Sequence, residues 1–310
     1  MLKPRALRRG DRIAVVAPAS PFARDEFDRG VQELRRLGFE PTFDEQVFSK
    51  EAGYLAGPPE VRASDFMRHW DDPEVAALVA VRGGYGSVQM LPLLDRERMR
   101  AAPKLFIGYS DNTSLLSWLT CVCGITALHG PMLEGRFAAG AERYDERSFL
   151  TLSQNGLGCE LSPPEVNAVR QGEASGLLFG GTITTLVASL GTPYAFDPPE
   201  GCILFLEDVN ERPYRIDRML TQLHLSGILG RARALVFGEM RGCDEPDGSV
   251  TASQVIERMT RDFDGPVMRG FPSGHTTGPC WTLPLGVRVR AMTIPHPRLV
   301  IEEAAVRESV

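Results

Sequence analysis

The sequence predicts an α/β protein: a first half built on a mostly parallel sheet, then a smaller α+β second half. Three observations predict it. Residues 77–81, and 104–108 after its leading Lys104, are apolar without the alternation of a strand that has one wet face. These runs alternate along the chain with segments of helical spacing, the pattern of βαβ units. Beyond about residue 161 the alternation gives way to a mixed order rich in glycine and proline.

Taken in order, residues 12–17 predict a buried strand. Residues 23–37 predict a helix, because Phe27, Val31, Leu34 and Leu37 recur on one face. A short strand is expected over 39–42, a helix over 59–70, strands over 77–81 and 104–108, and a helix of about three turns over 111–123. Proline, polar residues and a glycine over 161–172 suit a linker. Strands then follow at 176–179, 202–206, 234–237 and 287–292, with helices at 182–190, 214–225 and 253–263. The expected division is an α/β domain over 1–160, a linker over 161–175 and a second domain over 176–310.

The bulk properties exclude several classes. A chain of 310 residues suits one large or two medium domains. A net charge of −6 with no basic stripe argues against nucleic acid. The six cysteines are scattered and form no C-x-x-C pair, which points to reduced thiols and a cytoplasmic protein rather than a disulfide framework or zinc site. The apolar stretch 13–17 behind the basic N-terminus is too short for a signal peptide, which needs about 7–15 apolar residues. No stretch reaches the roughly 18 residues of a membrane span. Neither a cofactor nor a metal is expected, since no ligand cluster stands out.

Four segments carry candidate chemistry. Ser110 lies between a buried strand and a helix, where a sharp turn exposes a hydroxyl beside free helix N–H groups; the alternative is that Ser110 or Asp111 caps the helix. Arg82-Gly83-Gly84-Tyr85-Gly86 follows another buried strand, so its backbone is free to approach a ligand or simply to turn. Glu207-Asp208 ends an apolar strand, either at an active-site rim or in an ion network with Arg212, Arg215 and Arg218. His275 sits in a loop shaped by Gly270, Pro272 and Gly274, with His129 as the rival base. Serine, acid and histidine are the parts of an activated nucleophile.

Together these segments resemble the LD-carboxypeptidase family of serine peptidases, which also contains the microcin C immunity proteins. The likeness runs through Val15-Val16-Ala17-Pro18, Arg82 to Gly86, Gly108-Tyr109-Ser110-Asp111, His129-Gly130-Pro131 and Gly180-Gly181. It continues in Leu206-Glu207-Asp208-Val209, Tyr214-Arg215-Ile216-Asp217-Arg218, Gly274-His275 and Leu283-Pro284-Leu285-Gly286. The resemblance implies a flavodoxin-like N-terminal domain, a smaller C-terminal domain with barrel-like strands and a homodimer. It makes Ser110 the nucleophile, His275 the base and Glu207 its orienting acid. The backbone N–H groups of Asp111 and of Gly83 or Gly84 become the oxyanion hole.

The substrate implied is a murein tetrapeptide, cut between an L-centre and its terminal D-alanine. Arg82 is the candidate for its carboxylate, with Arg212 and Arg215 as alternatives, and Tyr85 is a further contact. The rival enzyme is an immunity-type amidase acting on aminoacyl nucleotides, for which Trp281 and Tyr85 are the candidate base platform. A non-catalytic binding protein on the same fold is the rival from another class. Thr182 stands where the family often has asparagine, and the segment 276–281 resembles the immunity branch as much as the cell-wall branch.

Overall fold

In a computed structural model that describes residues 1–308, the first half builds strands β1 (Arg12–Val16), β2 (Glu40–Thr42), β3 (Val75–Ala80), β4 (Leu105–Gly108) and β5 (Ala127–His129). β3 and β4 are apolar along their length and β1 is apolar after Arg12, and every residue of β3 and β4 is buried. The helix Arg24–Arg36 turns Phe27, Val31 and Leu34 inward, with Asp25 and Glu26 in its first turn and Arg35 and Arg36 in its last. Those charges complement the helix dipole at both ends. Pro59 starts the helix Pro59–Asp71, where its missing N–H costs nothing.

The second half adds β6 (Glu160–Leu161), β7 (Asn167–Arg170), β8 (Glu173–Thr182), β9 (Cys202–Glu207), β10 (Ala232–Gly238), β11 (Val267–Phe271), β12 (Leu283–Leu285), β13 (Arg288–Met292) and β14 (Arg298–Ile301). Six strands form one sheet in the order β12-β5-β4-β3-β1-β2, in which β1 to β5 run parallel. This is the flavodoxin-like order. Eight strands form a second, curled sheet in the order β6-β14-β13-β8-β9-β10-β11-β7. Its centre, β8 to β11, is parallel, and its flanks are antiparallel.

Three expectations need correction. The stretch 161–175 is not a bare linker, because β7 lies within it and pairs with β11, and β8 begins at Glu173. A polar edge strand has the composition of a loop. The helix over 111–123 is not one regular α-helix but a 3₁₀ turn at Ser110–Asn112, an α-turn at Thr113–Ser117 and a π-helical turn at Trp118–Cys123. Finally, the halves are interleaved: β12 crosses back to pair with β5 of the first sheet.

The seam between the sheets is apolar. Leu178, Ile203, Phe205, Val236 and Phe271 belong to the same core as Phe106, Ile107 and Leu128. Leu204, Leu206 and Phe237 face a second core with Ile216, Leu220 and Ile256. β9 thus buries alternate residues on opposite faces, as its pleat requires. The candidate residues Ser110, Glu207 and His275 lie at or beyond the carboxyl ends of β4, β9 and β11, where open α/β sheets bind ligands.

Candidate active site

Tyr109 to Asn112 turn sharply out of β4. Ser110 itself holds a φ of +63°, a left-handed conformation that is rare outside glycine. Such a residue costs about 1–3 kcal/mol and persists only where its surroundings impose it. Asn112, fully buried, braces the turn by donating from Nδ2 to the carbonyls of Arg82 (3.1 Å) and Tyr109 (3.2 Å). The Asp111 carboxylate points inward and accepts from the Ser87 N–H at 2.8 Å, while burial raises its pKa.

The glycine loop lies against the serine. A methyl group placed on Gly83 would stand 2.6 Å from Ser110 Cβ, 2.7 Å from its Oγ and 3.2 Å from the Asp111 nitrogen. Gly83 therefore adjoins both the hydroxyl and the amide proposed for an oxyanion. Gly83→Ala is expected to leave the fold intact, since its φ is ordinary, but to push the serine aside and lower kcat by about a hundredfold. Thermal melting and steady-state kinetics on one preparation check this, and unchanged kcat would contradict it. Gly84, with φ +105°, turns beneath Ser20. Arg62 fixes the far side of the loop, donating to the carbonyls of Gly57 and Gly86 at 2.9 and 2.7 Å.

Glu207 and His275 form a buried pair. Glu207 Oε2 accepts from His275 Nδ1 at 2.9 Å and from the His275 backbone N–H at 3.1 Å. Its other oxygen accepts from the Thr182 hydroxyl. Burial alone would raise the carboxyl, but the charge and hydrogen bond of His275, with His129 and Thr182 behind them, hold it down to about 2. Glu207 is 1% exposed and the His275 side chain 16%, so the acid is sealed while the ring reaches solvent. Gly274 has to precede the histidine: with φ +80°, a methyl there would meet Glu207 Cδ and His129 Cε1 at 2.9 Å.

The alternatives left open by the sequence stand in different surroundings. Among the described residues Glu207 has no arginine partner; Arg212 pairs with Glu245 at 2.8 Å and Arg215 with Glu211 at 3.3 Å. His129 is fully buried, its Nδ1 shares a hydrogen bond with Ser273 Oγ at 2.8 Å, and burial presses its pKa down to about 4. It is out of a substrate's reach. Arg82 is paired with Glu134 at 2.9 Å. Tyr85 is 48% exposed and leans on the exposed Tyr54, ring centroids 6.3 Å apart.

Ser110 and the Glu207–His275 pair meet through Tyr109. Its ring packs edge-on against His275, centroids 5.2 Å apart. Across the seam, the Thr182 N–H donates to Thr113 Oγ1 at 3.1 Å. The Ser110 hydroxyl forms no hydrogen bond among the described residues, to His275 or to any other group. In unliganded sites such contacts are often long and tighten with substrate.

Asp208 faces away from the histidine. It accepts from the Thr184 N–H at 2.9 Å, the Thr184 hydroxyl at 2.7 Å and the Val209 N–H at 2.9 Å. Burial pushes its pKa up to about 6 from 3.8, with Glu207 adding to the rise. A raised carboxyl stabilises fully only below about pH 4, and that stability is lost as the pH rises through about 6. Asp208→Asn cannot titrate. Wild type is therefore expected to lose about 1.5 kcal/mol relative to the variant between pH 5 and 8, read by urea unfolding. Parallel pH curves would contradict the assignment.

Two other clusters lie apart from this chemistry. Cys280 is buried beside Gly274, and burial pushes its thiol up to about 11. Asp44, Asp65 and His69 approach one another, but the Arg68 guanidinium already bridges both carboxylates and so holds the place of a cation. Missed by the sequence reading were Thr182 as a donor to Glu207, Arg62, and Arg136, whose guanidinium lies behind the His275 loop. The glycine pair before Thr182 was the one available signal among them.

An α/β elbow serine beside a buried Glu–His pair defines the class of a hydrolase. The LD-carboxypeptidase N-terminal domain matches residues 13–130, and the C-terminal domain matches residues 175–291. The chain belongs to the LD-carboxypeptidase family. It is 33% identical over 312 residues to a probable murein peptide carboxypeptidase of Bacillus subtilis, covering 97% of this chain and 94% of that one. It is 32% identical over 272 residues to the murein tetrapeptide carboxypeptidase of Pseudomonas aeruginosa, covering 85% and 88%. The structure of the microcin C7 self-immunity protein MccF with aspartyl sulfamoyl adenosine superposes with a TM-score of 0.92 at 25% identity, over 99% of this chain and all of that one. No helix among the described residues is long and apolar enough to cross a membrane.

Proposed function

We propose that this protein is a cytoplasmic serine LD-carboxypeptidase, working as a homodimer, that releases the terminal D-alanine of murein tetrapeptides. The observation that carries this reading is the buried Glu207–His275 pair, packed through Tyr109 beside a serine held at a strained φ. The named activities of the Bacillus and Pseudomonas relatives supply the substrate class.

Ser110 Oγ attacks the carbonyl of the L-centre, and His275 takes its proton through Nε2 while Glu207 holds Nδ1–H and stabilises the imidazolium. The oxyanion forms against the Asp111 N–H and a Gly83 or Gly84 N–H. His275 returns the proton to the leaving amine of D-alanine. Water then clears the acyl-enzyme with the same histidine as base. Arg82 answers the substrate carboxylate with donors not engaged by Glu134, and Tyr85 lines the mouth.

The exposed Tyr54–Tyr85 pair favours a second reading, in which an aromatic base stacks there and the amide cut is that of an aminoacyl nucleotide. Side-by-side assays on a murein tetrapeptide and an aminoacyl-sulfamoyl adenosine separate the two. Free D-alanine with an intact sulfamoyl compound is the expected result; cleavage of the sulfamoyl compound alone would replace the proposal with the second reading.

A further inference from the structure

Arg136 is 4% exposed and forms no ion pair among the described residues. Four of its side-chain hydrogen bonds go to main-chain carbonyls, and Tyr109 is its side-chain partner. Nη1 donates to Arg143 and Gly278 at 3.2 and 3.1 Å, and Nη2 donates to Gly274 and Thr276 at 2.8 and 2.9 Å. Those last two carbonyls flank His275. The same guanidinium lies 6.0 Å from the ring centroid of Tyr109, the ring that packs against His275. A charge buried without a counter-ion is costly unless its donors are all used. Here three of the four go to one short loop, residues 274–278.

We propose that Arg136 is the positioning residue of the catalytic base; the proposal rests on the reading of His275 as that base. Holding the Gly274 carbonyl fixes the peptide plane that carries the His275 N–H, and holding the Thr276 carbonyl fixes the plane that follows residue 276. Those planes aim the His275 N–H at Glu207 Oε2 and bring Nδ1 to the same oxygen. A second clamp acts beyond it, where Glu239 accepts from the Thr276 hydroxyl and from the Thr277 N–H at 2.9 Å. The planar fork of arginine can serve carbonyls in divergent directions. A lysine ammonium in the same place cannot reach all four.

The test uses the full chain with Arg136→Met and Arg136→Lys, each checked by thermal melting. On murein tetrapeptide, Arg136→Met is expected to lose about a hundredfold in kcat with KM within about twofold of wild type. Arg136→Lys should recover only a small part of that loss. A second readout needs no substrate: the low-field proton resonance of His275 Nδ1–H, shared with Glu207, should be present in wild type and lost in folded Arg136→Met. Folded Arg136→Met with kcat within about threefold of wild type and an unchanged resonance would overturn the proposal. If Arg136→Met does not fold, the lysine variant decides by the same two readouts. Wild type inactive on the peptide but showing the resonance change would sink the carboxypeptidase reading and leave the role of Arg136 standing.

Discussion

Glu207→Gln is expected to keep the fold and to cut kcat by about ten-thousandfold, the loss known when an orienting carboxylate becomes its amide. The carboxylate accepts from His275 at both the ring and the backbone and from Thr182 besides. An amide of the same shape presents an NH₂ where one of those donors already points. The ring then turns or takes the other tautomer, and Nε2 carries a proton where the serine needs an acceptor. Asp208→Asn is the control: one residue away, its carboxylate serves Thr184 and Val209, so turnover should persist. Kinetics and melting of both variants check this. Collapse in Asp208→Asn with normal turnover in Glu207→Gln would assign the role to the wrong acid.

Ser110→Ala should abolish turnover to a residue of about 10³–10⁴ over the uncatalysed rate, the level that oxyanion donors and binding sustain alone. Stability gives an independent reading of the same site. With φ at +63°, Ser110→Gly should raise stability by about 1 kcal/mol while removing the same activity. An inactive but more stable glycine variant is the signature of strain held for function. A destabilised, active one would show that the turn is only a helix start.

Much of this was legible in the sequence because the signals were local. The apolar run at 77–81 and the one that follows Lys104 announced buried strands, and Phe27, Val31 and Leu34 announced their helix. Ser110, Glu207 and His275 each stand at the edge of such an element, so their types and order could be read together. What escaped was non-local. β12 pairs with β5 across more than half the chain, and nothing in Leu283-Pro284-Leu285 names that partner. β5 and β11 lie among glycines and prolines that read as loop. Arg136 escaped for a related reason. Most of its partners are backbone carbonyls, which every residue has, so no carboxylate marks it in the sequence. The family's asparagine position held a clearer clue, since Thr182 keeps a donor there and spends it on Glu207.

The claim that a single serine is activated by this pair is tested most directly by covalent labelling. Purified enzyme, active on its peptide, is treated with a serine-directed fluorophosphonate and mapped by mass spectrometry. One adduct on Ser110 is predicted in wild type, absent from folded His275→Ala and slowed by orders of magnitude in Glu207→Gln. An adduct on another residue, or equal labelling of Ser110 without His275, would contradict the account.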